Sequence, residues 1–232
     1  MTPLLPAHDR VRRILEDLEA VRENLLALSD DIWQSIEHND PRALEEGVEF
    51  KRRYNEKMAA FDALASELSD MVQGFTSVRL EQTERGSTEN RDENERIVRE
   101  LDREQPYTLD KDFTFRRPHG FVLDGQAATG ITTWRRLYEL VCQQLARRDL
   151  ERFRALPENT AFISNRGHRE FHTNAAELRS PMLVAEGIHA EINHSANALR
   201  DLLRELLPQF SIPLDQLRIY LREDRDAERQ RE

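Results

Sequence analysis

Little in this chain supports a disulfide, a membrane span or a turn-rich β fold. A single cysteine, Cys142, stands among 232 residues, so no internal disulfide can form and a reducing, cytoplasmic setting is expected. Only eight residues are glycine, which argues against an all-β sandwich or barrel closed by many tight turns. No apolar run reaches the roughly 18 residues of a membrane span, so no membrane association is expected. The first residues, MTPLLPAHDRVRR, lack the basic start and apolar core of a secretory signal. Phosphate-loop, dinucleotide and G-x-S-x-G fingerprints are also missing.

What is present is charge, unevenly placed. Residues 107–232 hold 19 basic and 19 acidic side chains, and residues 1–106 hold 15 and 25, so the whole net charge of −10 falls in the first part. An acidic segment repels a phosphate backbone, which leaves only the neutral second part open to nucleic acid.

In residues 8–38, Val11, Ile14, Leu18, Val21, Leu25, Leu28 and Ile32 are separated by alternating steps of three and four. That spacing is a heptad seam, and it predicts a long helix that oligomerises, as a homodimer in the simplest case. Asp40-Pro41 reads as the cap and first residue of a second helix over 41–80. Its apolar row runs Leu44, Val48, Tyr54, Met58, Phe61, Leu64, Leu68, Met71, Phe75 and Val78, interrupted by Lys51. Two amphipathic helices joined by a short break predict an antiparallel hairpin whose leftover apolar surface a second copy would cover.

Residues 81–106 are highly charged and read as a linker that ends in a short helix before Pro106. From 107 to 232 the pattern becomes globular. Phe113 and Phe115 alternate with polar neighbours, and Phe121-Val122-Leu123 runs into Asp124-Gly125, which suggests two short strands. A helix is expected over 131–148, capped by Thr132 or Thr133. A single strand bent at Gly187 is expected over 183–192, a helix from a Ser195 cap, and a last strand over 217–221. Residues 161–164 and 168–172 flank Asn165-Arg166-Gly167, the pattern of a β-hairpin. The fold class is therefore α+β, with a coiled-coil-like helical hairpin (1–80), a charged linker (81–106) and a compact α+β domain (107–232). The hairpin at 161–172 gives that domain a winged-helix-like element.

Five histidines, His119, His168, His172, His189 and His194, fall in this domain. His168 and His172 lie about 13 Å apart by strand rise, and H-R-E-F-H is not the zinc helix motif H-E-x-x-H. His189 and Glu191 share a strand face, but exposed pairs of this kind are common, and no metal or other cofactor is assigned. Cys142 lies on the apolar face of its helix and reads as buried and structural. The acidic run Glu223, Asp224 and Asp226 reads as a solvated tail. Catalytic residues are therefore assigned to none of these.

If the hairpin is a wing, Arg166 and Arg169 would meet phosphates while the helix from Ser195 presents Asn197, Arg200 and Arg204 to a groove. The alternative is that the arginines pair with local carboxylates.

Residues 117–222 also resemble a small α+β module of bacterial proteins without assigned activity, seen too at the ends of some defence- or restriction-related proteins. The resemblance lies in Arg117-Pro118-His119-Gly120 with Asp124-Gly125, in Thr133-Trp134-Arg135-Arg136-Leu137-Tyr138, in Glu191-Ile192-Asn193-His194-Ser195-Ala196-Asn197 and in Ile219-Tyr220-Leu221. It implies a recognition or accessory module and carries no catalytic residue. The expected function is a non-enzymatic oligomeric binding protein, nucleic-acid-associated and linked to bacterial defence or regulation. A metal-dependent nuclease and a protein-binding scaffold are the alternatives.

Overall fold

A computed structural model of the chain describes residues 7–80, 84–86, 91–164 and 167–222. The chain is mixed α+β and divides into two compact units, Met1–Gln82 and Thr83–Glu232. None of the described helices is long and apolar enough to cross a membrane.

The first unit is a hairpin of α1 (Ala7–Gln34) and α2 (Pro41–Thr76). The Asp40 carboxylate accepts the backbone N–H of Arg42 at 2.9 Å, and Pro41 occupies the first turn, where its missing N–H costs no bond. The helices run antiparallel. Lys51 reaches Ser29, Tyr54 donates to the Leu25 carbonyl, and Asp62 takes Arg22. Gly47 sits where α2 passes Ile36, whose side chain fills the space that a Cβ would need.

In the second unit a four-stranded antiparallel sheet has the order β1-β3-β2-β7, from β1 (Arg85–Gly86), β2 (Pro118–Leu123), β3 (Gln126–Thr129) and β7 (Leu217–Leu221). Asp124 and Gly125 both have positive φ, the two-residue turn that matches strand twist and suits Asp-Gly. Alternation along the strands sorts the two faces. Val122, Ala127 and Tyr220 meet Ile97 and Leu101 of α3 (Arg91–Leu101), while Phe121, Leu123, Leu217 and Ile219 enter the main core. A Cβ at Gly120 would meet the Ala128 carbonyl at 2.9 Å and the Leu101 side chain, so glycine there lets α3 lie close on the sheet.

The main core is filled by α4 (Trp134–Arg148), α5 (Leu150–Arg154) and α6 (Ala196–Gln209). Thr133 and Ser195 cap α4 and α6 through their hydroxyls. Trp134 is fully buried and donates from Nε1 to the Arg116 carbonyl at 2.7 Å. A second sheet, β4-β6-β5, closes the core from β4 (Phe171–His172), β5 (Pro181–Ala185) and β6 (Ile188–Glu191).

The structure departs from the sequence reading at four places. Residues 113–115 form a turn with Phe115 at φ 57°, and the strand there starts at Pro118. The stretch 183–192 is two strands joined at Gly187, whose φ of 67° reverses the chain instead of bending it. The charged segment 81–106 ends in the expected short helix, α3, but it also contributes β1, and α3 docks on the sheet, so its described part is built into the second unit. The wing is reduced: Thr160–Phe162 is a 3-10 turn, one bridge joins Ile163 to Arg169, and β4 pairs with β6.

Candidate functional site

The hairpin buries polar groups among apolar ones, Arg22, Glu19, Asp62 and Ser29 with Leu15, Met58 and Ala65, while other large apolar side chains stand outside. The inward line of α1 passes through Leu15, Arg22 and Ser29, all buried. Arg22 Nε lies 2.7 Å from Asp62 and its Nη1 lies 2.9 Å from Glu19, with all three side chains about nine-tenths buried. Burial opposes the Arg22 charge, but the hydrogen bond to Asp62 and the field of Glu19 outweigh it and hold the guanidinium above its ordinary value. Ser69 and Gln73 continue the polar line on α2.

The heptad seam points elsewhere. Ile14, Val21 and Leu28 are exposed, and Val11, Leu18, Leu25 and Ile32 are half-buried. On α2, Leu64, Leu68, Met71 and Phe75 are exposed, Phe75 to 92%. These two apolar lines share one face of the hairpin. Val21 immediately precedes Arg22, and Phe61, which heads the line through Leu68 and Phe75, immediately precedes Asp62. One residue back turns a helix by about 100°. In two antiparallel right-handed helices that turn leads to the same side of the pair.

The described residues among those expected to meet nucleic acid are engaged with the domain's own backbone. Asn197 Oδ1 accepts the N–H of Phe113 at 2.9 Å, and its Nδ2 donates to Asp112 and Thr114, each at 2.8 Å. Arg200 donates to the Lys111 carbonyl at 2.9 Å and pairs with Asp201. Arg204 donates to the Leu109 carbonyl at 3.0 Å and meets Asp110 at 2.6 Å. Together they fasten residues 109–114 along α6 as a strap, with Leu109 and Phe113 buried beneath it. Hydrogen bonds from Asn197 and from Thr114 hold the Asp112 carboxyl down to about 2. Arg169 donates to the Pro157 carbonyl and lies 3.4 Å from Glu158. Arg166 lies outside the described residues, as do Glu223, Asp224 and Asp226. Elsewhere Arg136 meets Glu84 and Glu139, and Arg148 meets Asp124.

Three of the five histidines lie in the sheets, and His168 and His194 lie outside them. His119 belongs to β2 and meets Glu104 at 2.8 Å. His172 and His189 face each other across β4 and β6, and His194 meets Glu170 at 2.7 Å, a pair that sequence spacing does not announce. Among the described residues no three His, Cys, Asp or Glu side chains converge as a metal site would need. Glu191, paired with His189 in the sequence reading, instead accepts the backbone N–H groups of Arg179, Ser180 and Asn193, a buried carboxylate that ties down the entry to β5. Cys142 is fully buried beside Tyr138, and burial pushes its thiol well above the ordinary range, away from nucleophilic use.

Comparison with protein-family models, curated proteins and solved structures returns no match, so the functional reading rests on the chain's own residues.

Proposed function

We propose that this chain is a non-catalytic, self-associating binding protein whose helical hairpin joins two copies and whose C-terminal domain serves as the recognition unit for a protein partner. One observation carries the reading: the hairpin buries an ionic line between its helices and turns its apolar heptad seam outward. Ile14, Val21, Leu28, Leu64, Leu68, Met71 and Phe75 are between 40% and 92% exposed. On the scale of the roughly 150–250 Å² that a large aromatic side chain buries, this face offers roughly 600–1,000 Å² per copy at those exposures. Stable complexes bury close to ~800 Å² per partner. The strap formed by Asn197, Arg200 and Arg204 favours a protein partner over nucleic acid, because these groups, expected to enter a groove, are engaged by carbonyls and carboxylates of their own domain.

Light scattering after size exclusion tests the association. The full chain should run at twice the monomer mass, and Val21→Asp/Leu28→Asp at the monomer mass. Both positions are exposed in the single chain, so helical circular dichroism should be kept. A monomeric parent chain at high micromolar concentration would refute the reading.

A further inference from the structure

We infer that the two hairpins pack face to face with their connectors at the same end, forming a four-helix bundle about a two-fold axis parallel to the helices. This rests on the self-association proposed above and specifies its partner surface and orientation. The apolar face is not uniform along its length. On α1 the seam runs the whole way from Val11 to Ile32. On α2 it is dense only from Phe61 to Phe75. Stepped back by heptads, the Leu64 and Met71 line continues as Lys57 and Phe50.

The cross-helix contacts fix which ends coincide. Ser29 lies at Lys51, Leu25 at Tyr54 and Arg22 at Asp62. The Phe61–Phe75 stretch therefore lies beside the first half of α1. The face is densely apolar on both helices at the end where α1 begins and α2 finishes, whereas towards the connector its α2 side is broken by the exposed Lys57 before Phe50 resumes it.

Two isologous arrangements are available to such a face. An axis across the helices would set each densely apolar end over the partner's connector end, with Leu64 and Met71 facing the charged neighbourhood of Lys57. An axis along the helices sets dense end on dense end. Ile14 and Leu18 of one copy then lie over Leu64 and Leu68 of the other, and every neighbouring helix pair is antiparallel. The second arrangement covers the densely apolar ends with each other and confines Lys57 to the connector end, beside the α1 seam. Both chains also leave their α2 helices at the same end of the bundle.

A single spin label at the connector reads the orientation. Asn39 is exposed between the helices, and the native Cys142 is fully buried, so Asn39→Cys provides one labelling site on the intact chain. Light scattering on the labelled chain first establishes its mass. With connectors together, double electron–electron resonance should give a distance of about 15–30 Å, set by two helix diameters and the label arms. With connectors apart, the labels are separated by nearly the length of α2, whose 36 residues span about 54 Å. A dimer with the long distance overturns the orientation and leaves self-association standing. A monomer, including one in which the chain's own second unit covers the face, overturns both.

Discussion

Removing Asp62 tests whether the ionic line holds the hairpin. In the native chain Arg22 is clamped between Glu19 and Asp62, with side-chain exposures of 8%, 12% and 11%. Asp62→Ala leaves the guanidinium in the helix–helix contact with its Nε bond lost. Breaking a fully buried pair costs about 3–5 kcal/mol. Here Glu19 keeps its hold on Nη1, and the contact is only one side chain deep, so about 2–3 kcal/mol is the reasoned loss. For a cooperative unit of this size that lowers the melting midpoint by roughly 10–20 °C. Midpoints must be compared at equal chain concentration, because association shifts them by mass action.

The companion variant removes all the charge. Glu19→Leu/Arg22→Met/Asp62→Leu fills the same space with apolar atoms, and its stability should return to within about 1 kcal/mol of the parent or exceed it. Helical circular dichroism followed through a thermal scan reads both variants. An Asp62→Ala midpoint within about 2 °C of the parent would show that the ionic line contributes nothing, and the account of why the helices meet on their polar side would fail with it.

Three further outcomes follow from the second unit. Asn94 holds the β2–β3 turn with both ends of its amide, donating to the Gly125 carbonyl and accepting from Ala127 N–H, so Asn94→Ala should cost about 1–3 kcal/mol in urea unfolding. Cys142 should not react with a thiol-specific disulfide reagent in the folded chain and should react stoichiometrically in denaturant, because burial both shields the thiol and disfavours its thiolate. The Asp112 carboxyl is lowered on folding, so its contribution to the strap is whole above about pH 4 and is lost as pH falls towards about 2. The Asn197 side-chain amide resonances should move over that window in the parent and stay fixed in Asp112→Asn.

The elements that sequence spacing located were those marked by a stop signal or a long apolar period. Asp40-Pro41 opens α2, Thr133 and Ser195 cap their helices, and Leu217–Leu221 is a strand, because each signal is local and acts through its own backbone. The misplaced elements depended on a partner distant in sequence. Phe113 and Phe115 alternate like strand residues, yet among the described residues no strand pairs with them. The strand that does pair, Gln126–Thr129, carries two alanines with little β preference. The short helix before Pro106 is legible, but its docking is not, because Ile97 and Leu101 are sparse among charges. On the sheet those residues fit against Val122, Ala127 and Tyr220, and Asn94 supplies the anchor that a hydrophobic count misses.

The hairpin carries the same argument one level higher. A heptad count finds the apolar line on α1 and cannot say which neighbour it faces, because the rule that apolar residues meet holds for whichever surface has the larger partner. Here the neighbour within the chain is met through Leu15, Glu19, Arg22 and Ser29, one position along from Ile14, Val21 and Leu28. The sequence separates two contacts by a single residue step of about 100°. The polar line fixes pairing within the chain, since charge complementarity between Arg22 and Asp62 selects one register. The apolar line is then left for a contact whose strength comes from area. A hairpin held only by its apolar seam would satisfy itself and have nothing to offer a second copy. With Arg22 and Asp62 inside and Ile14, Val21 and Leu28 outside, the hairpin keeps apolar surface for the second copy proposed above.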